Sequence, residues 1–117
     1  MTAPNIVSVA TITGKSAVQA VGTSPTAIVS NAGGSGKVLK VNALYVSNVD
    51  GAAAADLTVD LYRSSVAYRL AYTVSCAADA VLDVLSKAIY LEEGDSLRLT
   101  ASAAGDLEAV CSYEEIS

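Results

Sequence analysis

The 117-residue sequence contains no His, no Trp and no Phe, and its one Met is Met1. Without His it lacks the commonest general base and the commonest metal ligand, so neutral-pH acid–base catalysis has little to build on. Ser and Thr are plentiful, but no G-x-S-x-G or S-x-x-K pattern supplies one of them with an activating neighbour. The only cysteines, Cys76 and Cys111, stand far apart without a C-x-x-C pair, which leaves neither a zinc site nor a redox motif. In a reducing cytoplasm they are best read as two small buried hydrophobes. No apolar run reaches 18 residues, and the first 15 residues lack the basic and apolar regions of a secretory signal. The expectation is a soluble chain made in the cytoplasm, with no membrane partner.

Charge of one sign is missing from nearly half the chain. From Met1 to Asn48 there is no Asp or Glu and only Lys15, Lys37 and Lys40, a side-chain charge of +3; the remainder carries all 12 acids against Arg63, Arg69, Lys87 and Arg98, a charge of −8. The two parts should face different partners, or each other. A net charge of −5 with no basic stripe argues against a nucleic-acid partner.

What is abundant is Ala and Val, small and β-branched side chains that suit a pleated surface. Apolar and polar residues alternate with a period of two: Leu57, Val59 and Leu61 with Thr58, Asp60 and Tyr62; Leu70, Tyr72 and Val74 with Ala71 and Thr73; Leu97 and Leu99 with Arg98 and Thr100; Leu107, Ala109, Cys111 and Tyr113 with Glu108, Val110, Ser112 and Glu114. Each set reads as a strand with one face on a core. Leu57, Val59, Leu61, Leu70, Val74, Leu97, Leu99 and Cys111 are therefore expected to be core. Turn signals at Asn48–Gly51, Gly94–Asp95 and Ala104–Asp106 separate the strands, and Gly51–Asp56 reads as a loop. The fold class expected is all-β: an antiparallel β-sandwich, jelly-roll-like, with an extended N-terminal arm.

Residues 1–36 differ in character from residues 37–117. They are a Ser/Thr/Ala/Val/Gly mixture with one charge, containing three strand-like pieces at Ile6–Ile12, Ala17–Val21 and Ala27–Ser30. The expectation is that 1–36 form an arm and weak edge strands and that 37–117 form the sandwich. An uncharged, β-prone arm suits strand addition to a partner's sheet edge, which nominates Ile6, Val7, Val9 and Ile12 as partner-binding residues. All six aromatics are Tyr, a residue enriched at interfaces. Tyr62 and Tyr90 fall out of phase with the apolar residues of their strands, so both are candidate outward contacts.

Two apparent motifs carry no chemistry. Gly33–Lys37 is like a phosphate-binding loop, but Asn31 stands where that pattern needs Gly, Val38 where it needs Ser or Thr, and a strand pattern follows where it needs a helix. The carboxylates of Glu92, Glu93 and Asp95, and of Glu114 and Glu115, could serve glycoside hydrolysis or Ca²⁺, but turn carboxylates are usually solvated and neighbours on a strand point to opposite faces. No catalytic, metal or cofactor residue is assigned, and the chain is expected not to be an enzyme.

The stretches Val41–Gly51 (V-N-A-L-Y-V-S-N-V-D-G), Ile89–Ala101 (I-Y-L-E-E-G-D-S-L-R-L-T-A) and Leu107–Ser117 (L-E-A-V-C-S-Y-E-E-I-S), with the opening Met1–Ile6, resemble a family of small structural proteins of tailed bacteriophages. The resemblance implies a virion component with a sandwich or jelly-roll domain, made in the host cytoplasm. It further implies a capsid cement (decoration) protein or a neck, tail or fibre protein. Its partners would be the major capsid protein or other virion proteins, and further copies of itself in a homo-oligomer. A host-surface or glycan-binding module is a third reading, weakened by the absence of Trp.

Overall fold

The computed structural model describes residues 4–117, and no helix occurs among them. Nine strands among these residues form two sheets in which every pair is antiparallel. In the first sheet β1 (Ile12–Ala20), β9 (Leu107–Ile116) and β3 (Val38–Asn48) lie side by side. The far side of β3 is shared by two short strands, β7 (Ile89–Leu91) against Leu39–Val41 and β6 (Val81–Asp83) against Tyr45–Ser47. The second sheet runs β2 (Thr26–Ser30), β8 (Ser96–Ala101), β4 (Ala55–Arg63), β5 (Val66–Cys76). The antiparallel sandwich expected from the alternation is thus what forms.

The alternating residues meet between the sheets. Leu39, Val41, Leu44, Val46, Leu91, Leu107, Ala109 and Cys111 come from one side, and Val29, Leu57, Val59, Cys76, Leu97, Leu99 and Ala101 from the other. Fully burying a Leu or Val contributes about 1.5–3 kcal/mol, so a core without one Phe or Trp depends on many modest contributions. In β3 the inward positions change from odd to even numbers between Val41 and Leu44. The register with β9 shifts between Val41 and Ala43, and this bulge lets both halves of one 11-residue strand face the same core.

Three of the expected core positions differ. Leu61 is only half-buried, Leu70 is 43% exposed and Val74 40% exposed. β5 is the last strand of its sheet and is 11 residues long, whereas β6, on the corresponding side of the opposite sheet, has three residues. Two register shifts against β4 and a positive φ at Thr73 (47°) further displace the alternation. Side chains that alternate as a core face should have little above them to pack against.

The expected boundary between residues 36 and 37 does not divide either sheet. β1 pairs with β9 from Ile12↔Ile116 to Ala20↔Glu108, and β2 pairs with β8. Both are edge strands, and Gly14 lies within β1. Ile6–Ile12 is not one strand: Val7 N–H donates to Asn5 Oδ1 (2.9 Å) and Ser8 N–H to Asn5 O (3.0 Å), closing a turn of the kind Asn favours. Gly33–Lys37 forms the turn into β3, with Gly34 and Gly36 at positive φ (73° and 70°).

The β4–β5 hairpin turns through Ser64 and Ser65, both at positive φ (51° and 63°), a two-residue connection that favours Asn-Gly. Replacing Ser64-Ser65 by Asn-Gly should raise stability by about 1 kcal/mol, since L-residues resist that conformation. In the core, Leu99→Ala should cost about 2–5 kcal/mol, whereas Leu70→Ala should cost under about 1 kcal/mol. Urea unfolding of the three variants measures all of this, and equal losses at Leu99 and Leu70 would contradict the uncovered position of β5.

Candidate partner-binding surface

The most elaborate polar constellation closes one end of the sandwich. Asn31, buried between β2 and β3, donates its Nδ2 to Lys37 O (2.9 Å) and Leu91 O (3.0 Å), and its Oδ1 accepts from Ser35 Oγ (2.6 Å). Its backbone N–H donates to Asp95 O, and its carbonyl accepts from Gly94 N–H. Asp95, also buried, accepts from Arg63 Nε (2.7 Å), Arg63 Nη2 (2.6 Å) and the Glu92 N–H (2.8 Å). Glu92 takes a further Arg63 contact at 2.7 Å. Arg63 ends β4, Glu92–Asp95 is the turn into β8 with Gly94 at φ 91°, and Asn31–Lys37 precedes β3. The acidic turn is thus satisfied by a guanidinium and main-chain donors, a device that ties three loops together.

The other singled-out carboxylates are engaged in the same way. Glu115 on β9 accepts from Lys15 Nζ on β1 (2.8 Å) and from Lys37 Nζ, while Glu114 accepts from Asn42 Nδ2 (3.0 Å). Two of the three cations of the acid-free part therefore meet the acidic part within one molecule. No group of three or more His, Cys, Asp or Glu side chains arranged to hold a metal ion occurs among the described residues. Both cysteines are buried and unpaired, and burial pushes the Cys111 thiol up to about 11, which keeps it from acting as a thiolate.

The expected contact residues do not form one site. Ile6 and Val7 are exposed (50% and 87%), Val9 is half-buried, and Ile12 is exposed at the start of β1. Tyr62 lies on β4 in one sheet and Tyr90 on β7 in the other. The Tyr62 ring is already covered by the Arg98 guanidinium, 3.8 Å from its centroid, and Arg98 is paired with buried Asp60 (2.8 Å). Tyr90, opposite Lys40, is exposed.

A longer series of exposed apolar side chains lies elsewhere, on β5. Val66, Tyr68, Leu70, Tyr72 and Val74 are each 40–63% exposed. A second row, Val18, Val110 and Tyr45, crosses the outer face of the first sheet on three neighbouring strands. An opening of about 180 Å³ between β5 and the β6 region, lined by Leu57, Ala71, Val74, Leu82, Asp83 and Val84, marks where the sandwich is uncovered. Alternation had assigned Leu70, Tyr72 and Val74 to the core face, so this surface was hidden in the sequence by the same pattern that marks a buried strand.

No protein-family description matches the chain, and no curated protein matches it in sequence. Among solved structures, a pentameric capsid protein from metagenomic phage sequences is similar, with a TM-score of 0.44 and 17% identity over 86% of this chain; this chain spans 60% of that one.

Hydrogen bonds from Arg63 hold the Asp95 carboxyl below the ordinary carboxylate range, with the Glu92 N–H adding to the effect and burial opposing it. A depressed folded-state value means that the stabilisation is present above the unfolded-state value, near 4, and is lost as pH falls through the lower folded value. Unfolding free energy should therefore fall as pH drops below about 4, and Asp95→Asn should flatten that fall. Urea titrations between about pH 2 and 6 test it; an unchanged slope in Asp95→Asn would remove Asp95 from the acid response.

Proposed function

We propose that the chain is a structural protein of a tailed-phage virion, a capsid cement protein that adheres to the major capsid protein as a homo-oligomer. The observation that carries this reading is the strand order. With β6 and β7 counted as one interrupted strand, β1-β9-β3-β6/β7 facing β2-β8-β4-β5 reads as a double-sheet jelly roll. That architecture hosts viral capsid domains, lectins and cupins. The absence of His leaves a cupin without its usual ligands, and the absence of Trp weakens a lectin platform. The step from fold to role is an analogy, and it agrees with the phage-like sequence stretches.

The mechanism is adhesion. A copy that bridges neighbouring capsid proteins adds contacts that outward pressure must also break, and many symmetric copies reinforce one another through effective concentration. The exposed Ile6 and Val7, with Val9 and Ile12, are the attachment element of this reading, and Tyr90 is an accessory contact. Ala10 and Thr11 are tied to the C terminus through their N–H groups on Ser117 O (2.9 and 3.0 Å), and the described residues before them, 4–9, belong to no strand.

Deletion of residues 1–9 should leave a folded domain by circular dichroism and sharply weaken binding to particles stripped of the protein. Because that segment has no charged side chain, binding should respond only modestly to salt. Undiminished occupancy by the truncated chain would move attachment to the sandwich. Counting copies in purified particles by mass spectrometry tests the assignment itself: a number on the order of hundreds fits cement, whereas about a dozen fits a neck or fibre ring.

A further inference from the structure

The outer face of the second sheet carries its own chemistry. Arg98 and Thr100 on β8, and Asp56, Thr58, Asp60 and Tyr62 on β4, alternate with the buried Leu57, Val59, Leu97 and Leu99 and so point outward. None of these outward residues is aliphatic. On β5 the register sets Arg69 opposite Asp60 and steps from Val59↔Ala71 to Leu57↔Val74, so the single residue Thr58 faces both Tyr72 and Thr73. Two residues against one make a β-bulge, a device that re-aims side chains. Thr73 takes φ 47° there, a conformation that a β-branched residue resists. Its N–H donates to a side chain, Thr58 Oγ1 (3.1 Å).

Beside the bulge lies a depression of about 170 Å³ lined by Asp56, Thr58, Thr73, Thr100, Ala101 and Ser102. Thr58 Oγ1 and Ser102 Oγ accept from main-chain N–H groups (3.1 and 2.8 Å), which leaves their O–H groups free to donate. The Asp56 carboxylate and the Thr73 and Thr100 hydroxyls make no hydrogen bond among the described residues. Tyr72, next to Thr73, is 63% exposed, and the Arg69 guanidinium lies 5.1 Å from its ring centroid.

We propose that this depression, with the Tyr72 ring beside it, binds one ring of a neutral sugar. A pyranose has hydroxyls around its rim and C–H groups on its faces. Four hydroxyls that donate or accept and one carboxylate that accepts from two neighbouring hydroxyls match the rim, and a phenol ring offers an apolar body to a C–H face. Charge selects neutrality. Asp56 and Asp60 stand against Arg69 and Arg98 on this face, a balance of zero in a chain of net charge −5. An acidic or phosphorylated ligand would meet the Asp56 carboxylate, and the Arg98 guanidinium is already paired with Asp60 (2.8 Å). A protein partner would want an apolar centre, which these outward positions do not supply. The depression is smaller than the roughly 300–1,000 Å³ of drug-sized ligand sites, which suits one sugar ring at a time. The strain at Thr73 fits the same reading, because a residue held against its preference is a mark of a binding site. This site rests on the outer face of the second sheet and is independent of the cement reading, so it is tested on the purified chain.

Hexasaccharides of glucose, galactose, mannose and xylose are titrated into the nitrogen-15-labelled chain up to about 10 mM and followed by amide chemical shifts. With Tyr and not Trp as the platform, at least one should bind with a dissociation constant of about 0.1–10 mM and shift the amides of Thr58, Tyr72, Thr73 and Thr100. Asp56→Asn and Tyr72→Ala should each weaken it at least fivefold with an unchanged circular dichroism spectrum. In Thr73→Gly the backbone conformation carries no Cβ penalty, so the fold is kept while the hydroxyl is lost, and affinity should fall at least threefold. No shift from any of the four sugars overturns the proposal, as do shifts that spare those amides. Tighter binding of a sulfated heparin hexasaccharide than of every neutral one also overturns it, and so does unchanged affinity in the three variants.

Discussion

Much of this molecule's chemistry follows from a mismatch in cover: an 11-residue edge strand in one sheet lies across from a three-residue strand in the other. The far side of β3 is divided between β6 and β7, which together provide six residues of pairing. Over β4 and β8 the opposing sheet is complete, and Leu57, Val59, Leu97 and Leu99 are wholly buried. One strand further out, the same kind of side chain is half-exposed. The hydrophobic effect scales with area removed from water, so β5 holds unspent apolar surface that a folded monomer cannot bury by itself.

The polar interactions act at the ends and edges rather than in the core. Asn31 and Asp95 supply buried acceptors and donors to loop main-chain groups that would otherwise lack partners at the closed end of the sandwich. This matters because an unpaired buried polar group costs about 1–3 kcal/mol. Lys15 and Lys37 converge on Glu115 and tie the weakly apolar β1 to β9 and to the start of β3. The acid-free and acid-rich parts of the chain are in this respect each other's partners. Exposed pairs of this kind contribute little alone, but β1 buries so few large side chains that its registry depends on them and on main-chain pairing.

Period-two alternation was enough to read the sandwich, because a strand's side chains must point alternately to its two faces. It located Leu57, Val59, Leu97, Leu99 and Cys111 correctly for that reason. It misplaced Leu70 and Val74 because alternation records which face a side chain occupies and not whether anything lies above that face. The position of an edge depends on pairings made by residues distant in sequence, such as Val46 with Leu82. The Ser64-Ser65 turn was equally illegible, since neither residue signals positive φ as Asn or Gly would. Tyr62 was rightly placed on an outer face, but Arg98, 36 positions later, covers its ring.

A core of Ala, Val and Leu and a surface with one long exposed edge strand suit the same purpose. Small and β-branched side chains pack closely on a pleated surface, and they supply the buried residues between the two sheets. Both cysteines are buried and the singled-out acidic groups at Glu92–Asp95 and Glu114–Glu115 are paired or hydrogen-bonded, whereas apolar area and strand edge among the described residues are left exposed. Both are satisfied by other protein chains, through main-chain pairing that is tolerant of sequence and apolar contact that is tolerant of salt. In the proposed role such a chain would act by what it covers, with its binding energy in the surfaces that its own fold leaves incomplete.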